Sequence, residues 1–180
     1  MSVLAAQPRL LDVPMVGLFP TSLDYANRLL RSFEHRLGPV QRPFRSEAFV
    51  LELDRLPVAV AVSASVVSAH VAGFHREEIV ELARLAGEPW ATRVMLRLWR
   101  EVCAPRWKCW PVLAAISYSH NAMHRGDLYR FDGWERVRGD CGSGGGGAWS
   151  RPRYATDAVA GSKTLWLWQY APAPIMRWVP

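Results

Sequence analysis

Lysine is almost missing from this chain: two lysines stand against twenty arginines among 22 basic residues, with 16 acidic ones opposing them. Cysteine is scarce too. Cys103, Cys109 and Cys141 form an odd, scattered set, which excludes a disulfide framework. Cys103 and Cys109 lack paired ligand spacing and read as buried or idle thiols. His35, His70 and His75 show no HxxxH spacing, so no metal site is expected. No apolar run approaches the roughly eighteen residues that would span a bilayer. The opening MSVLAAQPRLLDVP has neither the charged start nor the long apolar core of a signal peptide, so a cytoplasmic protein is expected. The stretch Gly139–Gly147 (GDCGSGGGG) fits no GxGxxG or Walker pattern and is not read as a phosphate loop.

What is present points to one domain. The 180 residues, half of them hydrophobic, suffice for a sizeable core. The net charge is +6, carried almost wholly by Arg, and there are nine Trp. Guanidinium groups contact phosphate bidentately and stack on bases, so a nucleic acid or other polyanion is a candidate partner. A GC-rich genome, which favours Arg over Lys whatever the function, explains the same bias.

Residues 1–13 read as a loose leader and Val13–Phe19 as a first strand. Ser22 can cap a helix to about His35, with Leu23, Ala26, Leu29, Leu30 and Phe33 on one face. Ala48–Leu53 and Val58–Ser68 flank Asp54-Arg55-Leu56-Pro57 as a hairpin, and the second strand should be buried on both faces. Glu77–Leu85 is helix by propensity. As a strand it would place Ile79, Ala83 and Leu85 on one face and Val80, Leu82 and Arg84 on the other. Thr92 is a candidate N-cap for a helix Arg93–Cys103. There Met95, Leu98, Trp99 and Val102 form the apolar stripe, and Arg93, Arg97 and Arg100 a second row that is either solvated or meets phosphate. Pro111–Ser119 reads as a strand, Asn121–Phe131 as a short helix, and Trp134–Arg138 and Lys163–Tyr170 as strands. Residues 139–154 form a flexible Gly/Arg-rich insertion and 171–180 an irregular tail. A hairpin meander leading into a crossover helix gives an α/β fold, an α+β mixed sheet flanked by helices.

That order resembles the GNAT acyltransferase fold. Many GNAT proteins end their core with Asn, a short helix, Leu-Tyr, and a Gly-aromatic pair four residues after the Tyr. Asn121, Leu128-Tyr129 and Gly133-Trp134 stand in those places, with one extra residue before Leu128. The resemblance implies that Tyr129 is the general acid for a leaving thiolate and that acetyl-CoA or a related acyl-CoA is the cofactor. The segment Glu81–Arg93 (ELARLAGEPWATR) resembles the family's CoA-holding strand, loop and helix start, which implies contacts from Leu82, Ala83, Arg84, Leu85, Gly87, Ala91, Thr92, Arg93 and, across the cleft, Asn121. The family's usual Gln/Arg-x-x-Gly-x-Gly/Ala is absent.

A narrower resemblance, carried by ELARL, Ser117-Tyr118, His124-x-Gly126 and the Tyr-aromatic end, is to the Mom group. These are GNAT-like phage proteins; the Mom protein of phage Mu modifies adenine in DNA. It implies DNA as a partner, Tyr129, His120, Tyr118, Ser117 and His124 as catalytic candidates, and Arg97, Trp149, Arg151, Arg153 and Lys163 as nucleic-acid contacts. His120 stands where these proteins tend to carry Asp. Acylation of a small amine or a protein, and non-catalytic nucleic-acid binding, remain the alternative readings.

Overall fold

The computed structural model describes residues 14–42, 45–141 and 162–170. The expected leader 1–13, the tail 171–180 and Trp149, Arg151 and Arg153 lie outside the described residues. The first element, β1 (Val16–Thr21), leads directly into α1 (Leu23–Ser32). Ser22 caps that helix as its residue type predicts, its hydroxyl accepting from the Tyr25 amide at 3.1 Å. The hairpin β2 (Ser46–Leu53) and β3 (Leu56–Ala64) turns at Asp54 and Arg55, both at positive φ, so Pro57 belongs to the strand rather than to the turn. Residues 59–64 of β3 are buried on both faces, as their small and β-branched character requires. A small ladder, β4 (His70–Val71) with β5 (Phe74–His75), follows.

Residues 79–87 form a strand, β6 (Ile79–Gly87), against their helical propensity. The segment enters the middle of the sheet, where packing overrides intrinsic preference. Its faces differ from simple alternation. The β3–β6 register shifts between Val62/Ser63, opposite Arg84 and Leu82, so Ala83 is an extra, bulged residue. Val80, Leu82 and Leu85 therefore share one hydrophobic cluster, while Ala86 packs against α1 in another.

Helix α2 (Pro89–Leu98) starts earlier than Thr92 suggests. Pro89 occupies its first turn, Glu88 is the N-cap, and the Thr92 hydroxyl donates back to the Pro89 carbonyl at 3.0 Å. The chain then widens into a π-helical turn, Trp99–Cys103, and a tight turn, Ala104–Arg106. The widening moves Arg100 out of the predicted surface row; its side chain is buried. Next come β7 (Ala114–His120), α3 (Asp127–Phe131), β8 (Glu135–Cys141) and β9 (Lys163–Gln169). Residues 121–126, expected as helix, are a turn, because Gly126 enters α3 at φ +75°. Gly139–Cys141, expected in the insertion, close β8.

The seven-stranded sheet runs β1-β2-β3-β6-β7-β9-β8, and its one parallel pair is β6 with β7. Helix α1 covers one face. Helix α2, the π turn and α3 cover the other, over a core holding Trp99, Trp107, Trp134 and Trp166. Of the seven described tryptophans only Trp90 is exposed. Among the described residues, the tryptophans other than Trp90 therefore serve packing.

Gly126 ties the fold to the site. A Cβ there would lie 2.1 Å from a ring carbon of Trp166. Gly126→Ala combines that clash with left-handed strain and should cost roughly 2–5 kcal/mol. The expected fall in melting temperature is roughly 5–15 °C; an unchanged melt would mean that Trp166 does not pack there.

Candidate active site

Strands β6 and β7 pair in parallel only from Ile79 opposite Ala114 to Leu82 opposite Ser117. Beyond that rung β6 stays with β3 to Gly87 and β7 stays with β9 to His120. The two strands thus splay at their C-terminal ends. Between them the edges of 83–87 and 118–120 carry no ladder partner among the described residues.

Ser117 and Tyr129 meet at the apex of the splay. The Ser117 hydroxyl donates to the Leu82 carbonyl at 3.1 Å, and the Tyr129 hydroxyl lies 2.8 Å from Ser117 Oγ. With the Ser117 proton committed to Leu82, the Tyr129 hydroxyl is the donor of the second bond. Its ring stacks on Trp166 with centroids 5.6 Å apart and meets Trp134 edge-on at 5.4 Å. Burial, outweighing the bond to Ser117, pushes its pKa above the usual phenol value, so Tyr129 keeps its proton at neutral pH.

The other catalytic candidates do not join this pair. Tyr118 and His120 alternate to the opposite face. There burial, with Glu81 next, pushes the Tyr118 phenol up to about 12. His124 sits in the exposed turn after β7. Instead, the structure brings forward Glu81, which is 7 % exposed and paired with Arg42 at 2.8 Å. Its sequence signal is a lone acid in an apolar strand; its partner lies 39 positions away in a Pro-broken loop and leaves no local trace.

Of the residues implied for cofactor binding, Leu82, Ala83, Leu85 and Gly87 line the β6 side of the splay. Arg84 turns to the α1 face, donating to the carbonyls of Gly38 at 3.3 Å and Ala83 at 2.8 Å. Ala91 is fully buried, Thr92 is spent on Pro89, and Arg93 is exposed. Asn121 points towards β8 and β9, donating to Ser162 and accepting from Thr164 at 2.8 Å. The Gly-x-Gly pattern is nearer than a strict match suggests: Arg84 and Gly87 hold its first two places and Pro89 takes the third. A Cβ at Gly87 would sit 2.3 Å from the Val58 carbonyl oxygen, so that glycine serves the β3 contact. Arg97 lies 3.5 Å from Asp132, and Lys163 opens β9.

The fit to an acyl-CoA divides in two. The unpaired strand edges suit an extended, amide-bearing arm, and the apex supplies a buried hydroxyl. At the start of α2, Pro89 has no amide proton and Glu88 brings a carboxylate, which leaves the Trp90 and Ala91 amides for a diphosphate. Among the described residues no helix is long and apolar enough to cross a membrane, and no cluster of three metal-ligating side chains occurs.

His35 yields a pH prediction. Burial first, then Arg84 and His124, lower its pKa to about 4. Its folded value lies below the unfolded one, so the stability it permits is complete above about 6.5 and is lost as pH falls towards 4. The melting temperature should drop between about pH 7 and 4.5, and His35→Asn should flatten that slope. Parallel slopes for the two proteins would reject the assignment.

At the level of sequence, no protein-family profile and no curated protein matches the chain. Solved structures do. The ribosomal-protein-S18-alanine N-acetyltransferase of Escherichia coli superposes with TM-score 0.58 at 12% identity, covering 90% of this chain and 98% of that one. YncA of Salmonella typhimurium, solved with its cofactor acetyl-CoA, gives 0.56 at 11%, covering 88% and 96%. An N-acetyltransferase of Staphylococcus aureus Mu50 gives 0.55 at 7%, covering 86% and 97%. The seven-stranded mixed sheet flanked by helices matches these structures: this chain has the fold of the GNAT acetyltransferases.

Proposed function

We propose that this chain is an acyl-CoA-dependent N-acyltransferase with Tyr129 as its proton donor. The observation that carries this is the buried Tyr129 hydroxyl held against Ser117 at the last rung before the splay. An acyl-CoA bound there supplies an activated thioester. Backbone groups of 83–87 orient its arm, and Trp166 and Trp134 exclude water from the phenol. Ser117 aims the hydroxyl until a departing thiolate takes the proton. We assign the proton that the amine loses to Glu81, which lies on the opposite face one rung before the last pair and is held by Arg42.

For the acceptor, the reading we favour is a nucleobase amine in DNA. The Mom-like run from Ser117 to Trp134 and the arginine-borne charge of +6 support it. A protein amine is the second reading, favoured by the ribosomal-protein alanine for which the Escherichia coli neighbour is named. Mass spectrometry of nucleosides and of peptides from cells expressing the chain separates the two.

Two outcomes are expected. Millimolar acetyl-CoA should raise the melting temperature, since a ligand bound only to the native state stabilises it. No shift would remove the donor from this fold. Tyr129→Phe should lower acyl-transfer turnover roughly 10²–10⁴-fold while costing at most about 1.5 kcal/mol of stability. Wild-type turnover beside a lowered melt would make Tyr129 a packing residue alone.

A further inference from the structure

A second concavity lies on the helix-α3 face, beside the splay. It is an open hollow of about 540 Å³ whose walls include His124, Arg125, Arg130, Arg136 and Trp166. In the sheet order, β7 and β9 stand between β8, which carries Arg136, and the β6–β7 gap. At about 4.8 Å per strand, the β8 wall is about 10 Å beyond β7. The hollow is thus a neighbour of the splay and shares Trp166 with its apex.

Its charges are unevenly spent. Arg130 pairs with Asp127 at 2.9 Å and lies over the Phe131 ring. Arg125 and Arg136 come from separate elements and make no ion pair among the described residues. The Arg136 guanidinium lies over Gly139, where a Cβ would stand 2.6 Å from its Nη2; the glycine gives it room. Asn121 and Thr164, also in the wall, are bonded to each other. Trp166 forms the floor with its indole N–H given to Ser119. The hollow therefore presents two unspent planar cations and a histidine to solvent over a buried Trp166, with the lining carboxylate of Asp127 spent on Arg130.

We propose that this hollow holds the phosphate backbone of a nucleic-acid strand whose reacting base enters the neighbouring splay. Two guanidiniums on separate walls match successive phosphate oxygens bidentately. The volume exceeds what a single inorganic anion needs and accommodates a nucleotide unit. The open side suits a chain that passes through, whereas a small ligand is better held by enclosure. The proposal rests on the nucleic-acid reading of the acceptor, but its test needs no acyl donor and so fails or succeeds separately from acyl transfer.

The test is fluorescence anisotropy with a labelled single-stranded oligodeoxynucleotide of mixed sequence, across a salt series. Arg125→Ala and Arg136→Ala are compared with Arg31→Ala, which removes the same charge from the exposed last turn of α1. Both hollow arginines are exposed, so the fold is retained. Each hollow variant should weaken binding about 3–10-fold and lower the salt slope by about 0.7 for every phosphate its arginine neutralises. Arg125→Lys should recover part of the affinity, and Arg31→Ala should stay close to wild type. Equal effects from all three alanine variants would reduce the hollow to general charge and overturn the proposal. So would disappearance of the acetyl-CoA thermal shift with oligonucleotide affinity intact, which would assign the hollow to the donor.

Discussion

Parallel pairing between β6 and β7 stops at Leu82 and Ser117, and the site exists because of that stop. A buried carbonyl must find a donor. At Leu82 the donor is the Ser117 side chain instead of the next ladder amide. One rung later Ala83 bulges, which bends β6 towards β3, while β7 stays in register with β9. Each strand keeps its antiparallel neighbour and gives up the parallel one. The parallel ladder is the less stable pairing per residue, so it is the one that yields. Ser117 closes the apex and at the same time offers its oxygen to Tyr129.

The position of Tyr129 then depends on how a five-residue helix is held, since α3 is far too short to stand alone. Asp132, just past its end, accepts a two-pronged contact from buried Arg100, at 2.8 and 3.2 Å, and a further bond from the Trp134 indole. Arg100 also lies 3.8 Å above the Trp168 ring. Removing either charge would break the buried pair and leave the other with only a longer contact to a more exposed residue, Arg97 for Asp132 and Glu101 for Arg100. The π turn places Arg100 there. A regular helix would have left it in the surface row with Arg93 and Arg97.

Much of this architecture is legible in the sequence, and the misses share a physical cause. The Ser22 cap, the two-sided burial of β3 and the Leu/Trp alternation of β9 are local signals and survive folding. β6 is readable as a strand only through the order of its neighbours, because its helical propensity gives way to burial. Simple periodicity misplaces Arg84 and Arg100, because one bulge and one wide turn change which face a residue occupies. Neither irregularity has a composition signature. Tyr129 is singled out by the resemblance of Leu128-Tyr129 and Gly133-Trp134 to the end of the GNAT core. Ser117 stands among the candidates, but its role as the link between Leu82 and Tyr129 needs coordinates. Glu81 escapes a sequence reading because its partner, Arg42, is remote in the chain.

The two faces of the splay carry different chemistry, and this separation suits the proposed reaction. On the helix face, Tyr129 sits among tryptophans, where low polarity keeps the phenol protonated. On the α1 side, Glu81, Arg42 and Tyr118 form a polar group around a buried ion pair. A phenol beside a carboxylate keeps its proton but spends it in a hydrogen bond to that carboxylate. In the proposed reaction the separation leaves the Tyr129 hydroxyl to Ser117 and then to the leaving sulfur, with Glu81 serving the amine. Ser117 closes the gap at its apex, and in the proposed reaction the transfer takes place at that closed end, where Ser117 holds Tyr129.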